Sequence, residues 1–269
     1  MTESRVAAPP FLETKEYRRF AEFCDACRRY RYIGLCCGPP GVGKTLSARH
    51  YAHWDVVEPF ALHFIDRTPP PEIIPCRTVV YTPTVHNTPR QIEEEMRLLT
   101  SGLSWAVTLA LEPEVEHDLI REDPQLTELI VVDEADRLKV LGLEQMRDIY
   151  DRAGVGMVLI GMPGLERRLA RYAQLYSRVG FVHQFRPLSA DELRFILEQK
   201  WQELGLLVDL TDFDDVEAMT AIIRITGGNF RLVQRLFAQM ARIMDINHLE
   251  HVTKEVVEAA RESLVIGPT

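Results

Sequence analysis

The residues best suited to do chemistry lie in GPPGVGKT, residues 38–45, which fits the pattern G-x-x-x-x-G-K-[ST] without mismatch. Its glycines let consecutive backbone N–H groups curl around phosphate oxygens, and the helix expected next turns its positive end toward the same anion. Lys44 is placed to hold the β- and γ-phosphates, and Thr45 to ligate a magnesium ion. The expected cradle consists of Gly38, Pro39, Pro40, Gly41, Val42, Gly43, Lys44, Thr45 and Leu46.

A second stretch, LIVVDEAD at residues 129–136, supplies what phosphate binding alone lacks. Its apolar run reads as a buried strand that delivers Asp133 to the phosphate loop, where the carboxylate can hold Mg²⁺ through water. Glu134 can orient and polarise an attacking water molecule; the competing reading is that it caps the next helix. ATP and Mg²⁺ are the expected cofactors, with Thr45 and Asp133 at the metal, and hydrolysis is the expected reaction. Asp136 and Arg137 read as a surface pair or a turn cap.

These groups need strands and helices to hold them. YIGLCC (32–37) is a short apolar run ending at Gly38, hence a strand that feeds the loop. TVVYT (78–82), LIVVD (129–133) and VGMVLIG (155–161) read as further strands, and FVHQFRP (181–187) alternates apolar and polar residues, as an edge strand does. Between them, helical periodicity marks 13–31, a helix running from Gly43 through KTLSARHYA, 89–101, about 103–122, and 143–153; RTPPPEIIP (67–75) is a proline-rich loop. Strand and helix in alternation predict a mainly parallel sheet with helices on both faces. After Pro187 the pattern becomes helical, over 188–204, 214–226, 229–244 and 253–264. The expected organisation is a flexible tail over 1–12, an α/β nucleotide-binding core over 13–187, and a small helical lid with a C-terminal helix over 188–269.

With 46% hydrophobic residues, the 269-residue chain can bury one large core, or one core and a small second domain. The opening MTESRVAAPP lacks the apolar segment of a signal peptide, and no run approaches the roughly 20 apolar residues of a membrane helix. A soluble, cytoplasmic chain is the expectation. Five cysteines at 24, 27, 36, 37 and 76 make no disulfide framework. A zinc site at Cys24-x-x-Cys27 and Cys36–Cys37 competes with buried, reduced thiols, and helical and strand placement favours the thiols. The net charge of −9 excludes a protein coated non-specifically with nucleic acid, so any such contact needs a local basic patch multiplied by assembly.

The letters D-E-A-D at 133–136 also spell the tetrad of a class of RNA helicases. Those enzymes close two α/β domains over RNA, and the 136 residues after Asp133 offer about 80 that are all helical instead. The Ser-Ala-Thr tripeptide and the downstream arginine-rich motif of that class are missing too. The tetrad therefore reads as a Walker B strand end.

An α/β nucleotide core followed by a helical lid resembles the layout of the AAA+ ATPases, which implies a three-layer αβα core. TGGNFRLVQRLF (226–237) looks like their sensor 2 region, which implies that Arg231 reaches from the lid to the γ-phosphate; a solvated or ion-paired arginine is the alternative. QLYSRVGF (174–181) resembles the segment that carries the arginine finger. That implies that Arg178 completes the site of a neighbouring subunit, with Arg171 as the other candidate. The sensor 1 position departs from the family, since LIGMPG (159–164) puts Gly161 and Met162 where a polar residue is usual. Weaker water positioning and slow turnover follow.

Within that superfamily GPPGVGKTLSARHYA, VVDEADRLK with MRDIYDRAGVGMVLIGMPGLERRLAR, and FRPLSADEL resemble the transposition ATPases of the TniB, TnsC and MuB type, over roughly residues 12–250. The resemblance implies ATP-dependent self-assembly, as a ring or helical filament, on double-stranded DNA without strong sequence preference. It also implies target-DNA selection and recruitment or activation of a transposase, with a target-selector protein as a further partner. Position puts Thr84, Arg90 and Arg97, after the TVVYT strand, in a pore-facing role; pairing of the arginines with Glu93, Glu94 and Glu95 is the rival reading. The run RRYR (28–31) is another basic patch. Two other functions compete: a replicative helicase loader, and a signalling or secretion NTPase that switches protein partners, which the net charge of −9 suits.

Overall fold

The computed structural model describes residues 11–63, 68–113, 125–203, 213–249 and 251–264. Five strands, β1 (Ile33–Cys37), β2 (Thr78–Tyr81), β3 (Leu129–Val132), β4 (Gly156–Gly161) and β5 (Val179–Gln184), form one sheet in the order β2-β3-β4-β1-β5. β3 runs parallel to both β2 and β4, with Val80 opposite Val131 and Val131 opposite Val158. Every residue of β1 to β4 is buried, as in parallel strands covered on both faces. β5 alternates half-buried and exposed residues and lies at the sheet's edge, as its sequence pattern predicts. In the sequence the phosphate loop directly follows β1, and Asp133 directly follows β3.

The described residues fall into two compact units. The first lies within Met1–Leu35, Thr45–Gly161 and Leu165–His183, and holds most of the sheet. Its helix α1 (Lys15–Tyr30) starts where the Thr14 hydroxyl accepts the Tyr17 N–H at 3.0 Å, and buries Phe20, Phe23, Cys24 and Cys27 along one stripe. All five cysteines are buried and outside any disulfide, and burial pushes the Cys27 thiol up to about 12. The remaining helices of this unit are α2 (Lys44–Tyr51, joined through Lys44 to the other unit), α3 (Trp54–His63), α4 (Pro89–Leu111), α5 (Val140–Ala153), α6 (Leu165–Leu169) and α7 (Ala173–Tyr176).

Two helices, over 89–101 and about 103–122, are expected from the sequence, but α4 runs unbroken through Gly102 to Leu111; residues 114–122 lie outside the described residues. The glycine is there for proximity to α3, since a Cβ on it would stand 2.3 Å from the Ala61 carbonyl oxygen. It marks a helix crossing where the sequence suggests a break. Helix α3, with Pro59 inside it, is missed by the sequence reading.

The second unit lies within Cys36–Lys44, Met162–Gly164 and Gln184–Thr269. It carries the phosphate loop and helices α8 (Ala190–Glu203), α9 (Phe213–Thr226), α10 (Phe230–Asn247) and α11 (Lys254–Glu262). Asn229 and Thr253 cap α10 and α11. The stripe Val233, Leu236, Phe237, Met240 and Met244 buries α10 against α9 and α11. Among the described residues after Gln184 no strand occurs, and no described helix is long and apolar enough to cross a membrane.

Candidate nucleotide-binding site

In the second unit the phosphate loop is held by the start of α10. Gly41 and Gly43 take φ of 81° and 105°, values open to glycine, as a loop that gathers its N–H groups around an anion requires. Lys44 Nζ donates to the carbonyls of Gly38 at 2.5 Å and Pro39 at 2.7 Å, so its ammonium closes the loop upon itself. The Asn229 amide donates to the Pro40 carbonyl at 2.9 Å, and the Arg231 N–H donates to the Gly41 carbonyl at 3.0 Å. A Cβ on Gly41 would lie 2.9 Å from the Arg231 Cβ, which leaves no room for any other residue there. Arg231, Gly38, Pro39, Pro40, Gly41, Val42, Gly43 and Lys44 are thus brought together in one unit, with Val42 buried as the loop's apolar anchor. Asn229 was not among the expected site residues. Its only signal was an asparagine just ahead of a helical apolar stripe, an N-cap position.

In the first unit the Thr45 hydroxyl donates to Asp133 Oδ2 at 2.7 Å, across 88 residues of sequence. Asp133 is 4% exposed, and its Oδ1 accepts the Glu134 N–H at 2.9 Å. Leu46, the next residue of α2, is exposed. Two hard oxygen donors in contact, one ionisable, suit a divalent cation such as Mg²⁺. Glu134 adopts a left-handed backbone, φ 51°, and begins a short 3-10 turn, Ala135–Arg137, without a side-chain cap bond. Its carboxylate pairs with Arg137, whose Nη1 also donates to the Pro83 carbonyl at 3.0 Å. Asp136 and Arg137, expected as a surface pair or turn cap, have different partners: Arg137 takes Glu134, whereas Asp136 turns to the end of β4. A Cβ on Gly161 would lie 2.4 Å from Asp136 Oδ2, so the carboxylate fills the space that a side chain at position 161 would use. Met162 is exposed.

Arg178 finds its partner on α5. Its guanidinium holds Asp151 of α5 bidentately, Nε to Oδ1 at 2.5 Å and Nη2 to Oδ2 at 2.7 Å. The same pairing keeps the Asp151 carboxyl below the usual carboxylate range. Arg171 is exposed after α6. The Thr84 hydroxyl donates to the His86 carbonyl at 2.8 Å, and Arg90 pairs with Glu94 at 3.0 Å, as the rival reading of the pore-facing candidates has it. Arg97 is exposed and, among the described residues, has no ion pair. Glu93 pairs with Arg152, and Glu95 accepts from Tyr81.

A sheet with a glycine loop after its first strand, a Thr–Asp pair and a capped helix docked on the loop defines a P-loop nucleotide-binding protein. The AAA domain model matches residues 27–169, more than half of the chain, and the protein belongs to that family of ATPases. It is 49% identical over 265 residues to a potential ATP-binding protein of Staphylococcus aureus, covering 96% of this chain and 97% of that one. It is 24% identical over 240 residues to the Mu-like prophage FluMu DNA transposition protein B of Haemophilus influenzae, covering 87% and 73%. The resemblance to the transposition ATPases is thereby borne out. In fold the chain is similar to the Thermotoga maritima RuvB Holliday junction branch migration motor, with a TM-score of 0.59 over 94% of this chain and 70% of that one, at 16% identity.

Proposed function

We propose that this AAA protein is an ATP- and Mg²⁺-dependent ATPase that assembles on double-stranded DNA and, in the assembled state, marks target DNA and recruits or activates a transposase. The observation that carries this reading is the similarity to a DNA transposition protein over 87% of the chain, in a protein whose Thr45 hydroxyl and Asp133 carboxylate meet at 2.7 Å.

The roles of the residues follow from their chemistry. The loop from Gly38 to Thr45 binds the phosphates through backbone N–H groups, and Lys44 leaves its own loop carbonyls for the β- and γ-phosphates. Thr45 and Asp133 would hold Mg²⁺, the latter through water; bound there, the ion neutralises charge on the phosphates. Glu134, once released by Arg137, polarises the water that attacks phosphorus and takes its proton. Arg231 answers the γ-phosphate from the lid side. Arg178 completes a neighbour's site, stabilising the charge of the transition state. Asp136 in the space beside Gly161 supplies an acceptor where the family usually has a polar residue, and turnover is slow and tied to assembly. DNA is held in each subunit by the cations Arg90 and Arg97 with the Thr84 hydroxyl beside them, repeated along the oligomer. Binding is therefore independent of sequence and steep in salt. A target-selector protein is a further partner.

Electron microscopy on duplex DNA of arbitrary sequence, with ATP or an analogue that resists hydrolysis and without nucleotide, tests this. Nucleotide-dependent rings or filaments are expected. Their absence at low salt removes the DNA reading and leaves a nucleotide switch acting on protein partners.

A further inference from the structure

Arg178, like Glu134, is a proposed catalytic group held in an ion pair with a residue outside the nucleotide chemistry. Both Asp151 oxygens are engaged by Arg178, at 2.5 and 2.7 Å, and the Arg178 Nη1 also reaches the Gln174 carbonyl. Its backbone is fixed as well, because the Arg178 carbonyl accepts the Ile33 N–H at 3.1 Å where β1 begins. A change of partner therefore asks only for side-chain rotation. The side chains are 30% and 31% exposed, in between a locked core pair and a solvated pair that would hold nothing. Asp151 also has a substitute. Arg147 Nη1 reaches its Oδ2 at 2.9 Å and is itself anchored by Glu144 at 2.9 Å, so the carboxylate stays paired if Arg178 leaves. A terminal phosphate offers three acceptor oxygens and more charge than a carboxylate, and bidentate arginine geometry suits it.

We propose that Asp151 is a positioning residue that stores Arg178 in the separate chain and yields it to the terminal phosphate bound by a second copy, with Arg147 taking over Asp151. The strength of one intrachain ion pair then sets the concentration at which assembly and hydrolysis begin. This rests on the reading that Arg178 completes a neighbour's site.

The test measures ATP hydrolysis against protein concentration on duplex DNA, and assembly with a hydrolysis-resistant ATP analogue by sedimentation. The chains compared are the native protein, Asp151→Asn, Arg147→Gln, Arg178→Ala and the Asp151→Asn/Arg178→Ala double variant. Asp151→Asn should lower the half-activating concentration about five-fold, the worth of a good half-exposed pair, and leave the plateau rate unchanged. Arg147→Gln should move the half-point the other way, because releasing Arg178 would then strand a carboxylate. A residue that merely supports the fold would not give opposite signs. In the Arg178→Ala background, Asp151→Asn should no longer shift assembly. The proposal is overturned if Asp151→Asn lowers the plateau, leaves the half-point in place, or shifts assembly equally without Arg178. An Arg178→Ala chain that hydrolyses ATP normally removes the underlying reading and the proposal with it. An inactive Arg178→Ala beside a silent Asp151→Asn removes the proposal alone. Should Asp151→Asn melt early, the direction of the Arg147→Gln shift decides.

Discussion

The side chain of Asn229 bonds at both ends to parts of the nucleotide site: its amide donates to the Pro40 carbonyl at 2.9 Å, and its carbonyl oxygen accepts the Leu232 N–H at 3.2 Å. One end tethers the phosphate loop and the other caps the helix that carries Arg231. The two tasks separate by substitution. Asn229→Ala removes both and should cost about 1 kcal/mol of stability, the usual worth of an N-cap. Asn229→Asp keeps the cap, with melting near that of the native chain, but loses the donor and sets a carboxylate against the loop. Both should weaken ATP binding, by roughly ten-fold, the worth of one hydrogen bond at the strong end of the range. Thermal melts beside nucleotide titrations read the two effects, and native affinity in Asn229→Asp would show that the tether is idle.

Glu134, proposed to activate water, makes a comparable pair with Arg137. The carboxylate must leave the guanidinium before it can act as a base. Glu134→Gln keeps the shape and removes the base, so hydrolysis should fall by about 10²–10⁴, the range for general-base groups, with ATP binding kept and the assembled state trapped. Single-turnover hydrolysis and sedimentation with ATP measure this. An ordinary rate in that variant would take Glu134 out of the mechanism.

Gly102 reverses the usual rule for helices. Replacing an interior glycine by alanine ordinarily adds about 0.5–1 kcal/mol. Here the new Cβ would meet the backbone of α3, 2.3 Å from the Ala61 oxygen and 2.8 Å from its Cα. Backbone cannot swing aside as a side chain can, so Gly102→Ala should destabilise by roughly 1–3 kcal/mol, as overpacking does. A denaturant midpoint equal to or above the native value would mean that α3 and α4 separate at little cost.

The same glycine shows where the sequence is legible and where it is not. Buried strands announce themselves: Leu129–Val132 is apolar throughout because both faces are covered, and β5 alternates because it is an edge. The phosphate loop is legible because its function constrains adjacent residues. Helix α3 is not, because Pro59 and its acidic residues blur the periodicity, and its packing is set by α4. The partner choices are illegible for a related reason. Arg178 finds Asp151 27 residues away and Asp136 turns to Gly161, by tertiary contact and not by spacing, whereas Arg137 takes its i,i+3 neighbour Glu134.

Cys27 carries a stability dependence on pH. Burial raises its thiol from 9.0 to about 12 by penalising the thiolate. A group whose folded value lies above its unfolded value gives its full stabilisation below the unfolded value and loses it as pH rises to the folded one. Stability should therefore be unaffected by this thiol below about pH 9 and decline from there toward 12. Cys27→Ser should flatten that part of the curve of denaturant midpoint against pH. Native protein at pH 8 should leave Cys27 unalkylated by iodoacetamide, since the thiolate is the reactive form. Rapid native labelling at Cys27, read by peptide mass, would contradict its burial.

The two arginines proposed for DNA contact differ in what they must give up. Arg90 is 89% exposed but already pairs with Glu94, whose charge offsets its own toward a phosphate. Arg97 sits two turns further along α4, exposed and with no ion pair among the described residues. A cation that neutralises one phosphate contributes about 0.9 to the slope of log affinity against log salt. Arg97→Ala should therefore flatten that slope by nearly one per contact and weaken binding to all sequences alike. Arg90→Ala should alter it little, and Glu94→Gln, which frees Arg90, should steepen it. Titrations of duplex DNA with protein and a hydrolysis-resistant ATP analogue, between 50 and 200 mM salt, separate these outcomes. An unchanged slope in Arg97→Ala would move the contact off this face of α4. The basic run at 28–31 would then be the next cations to substitute.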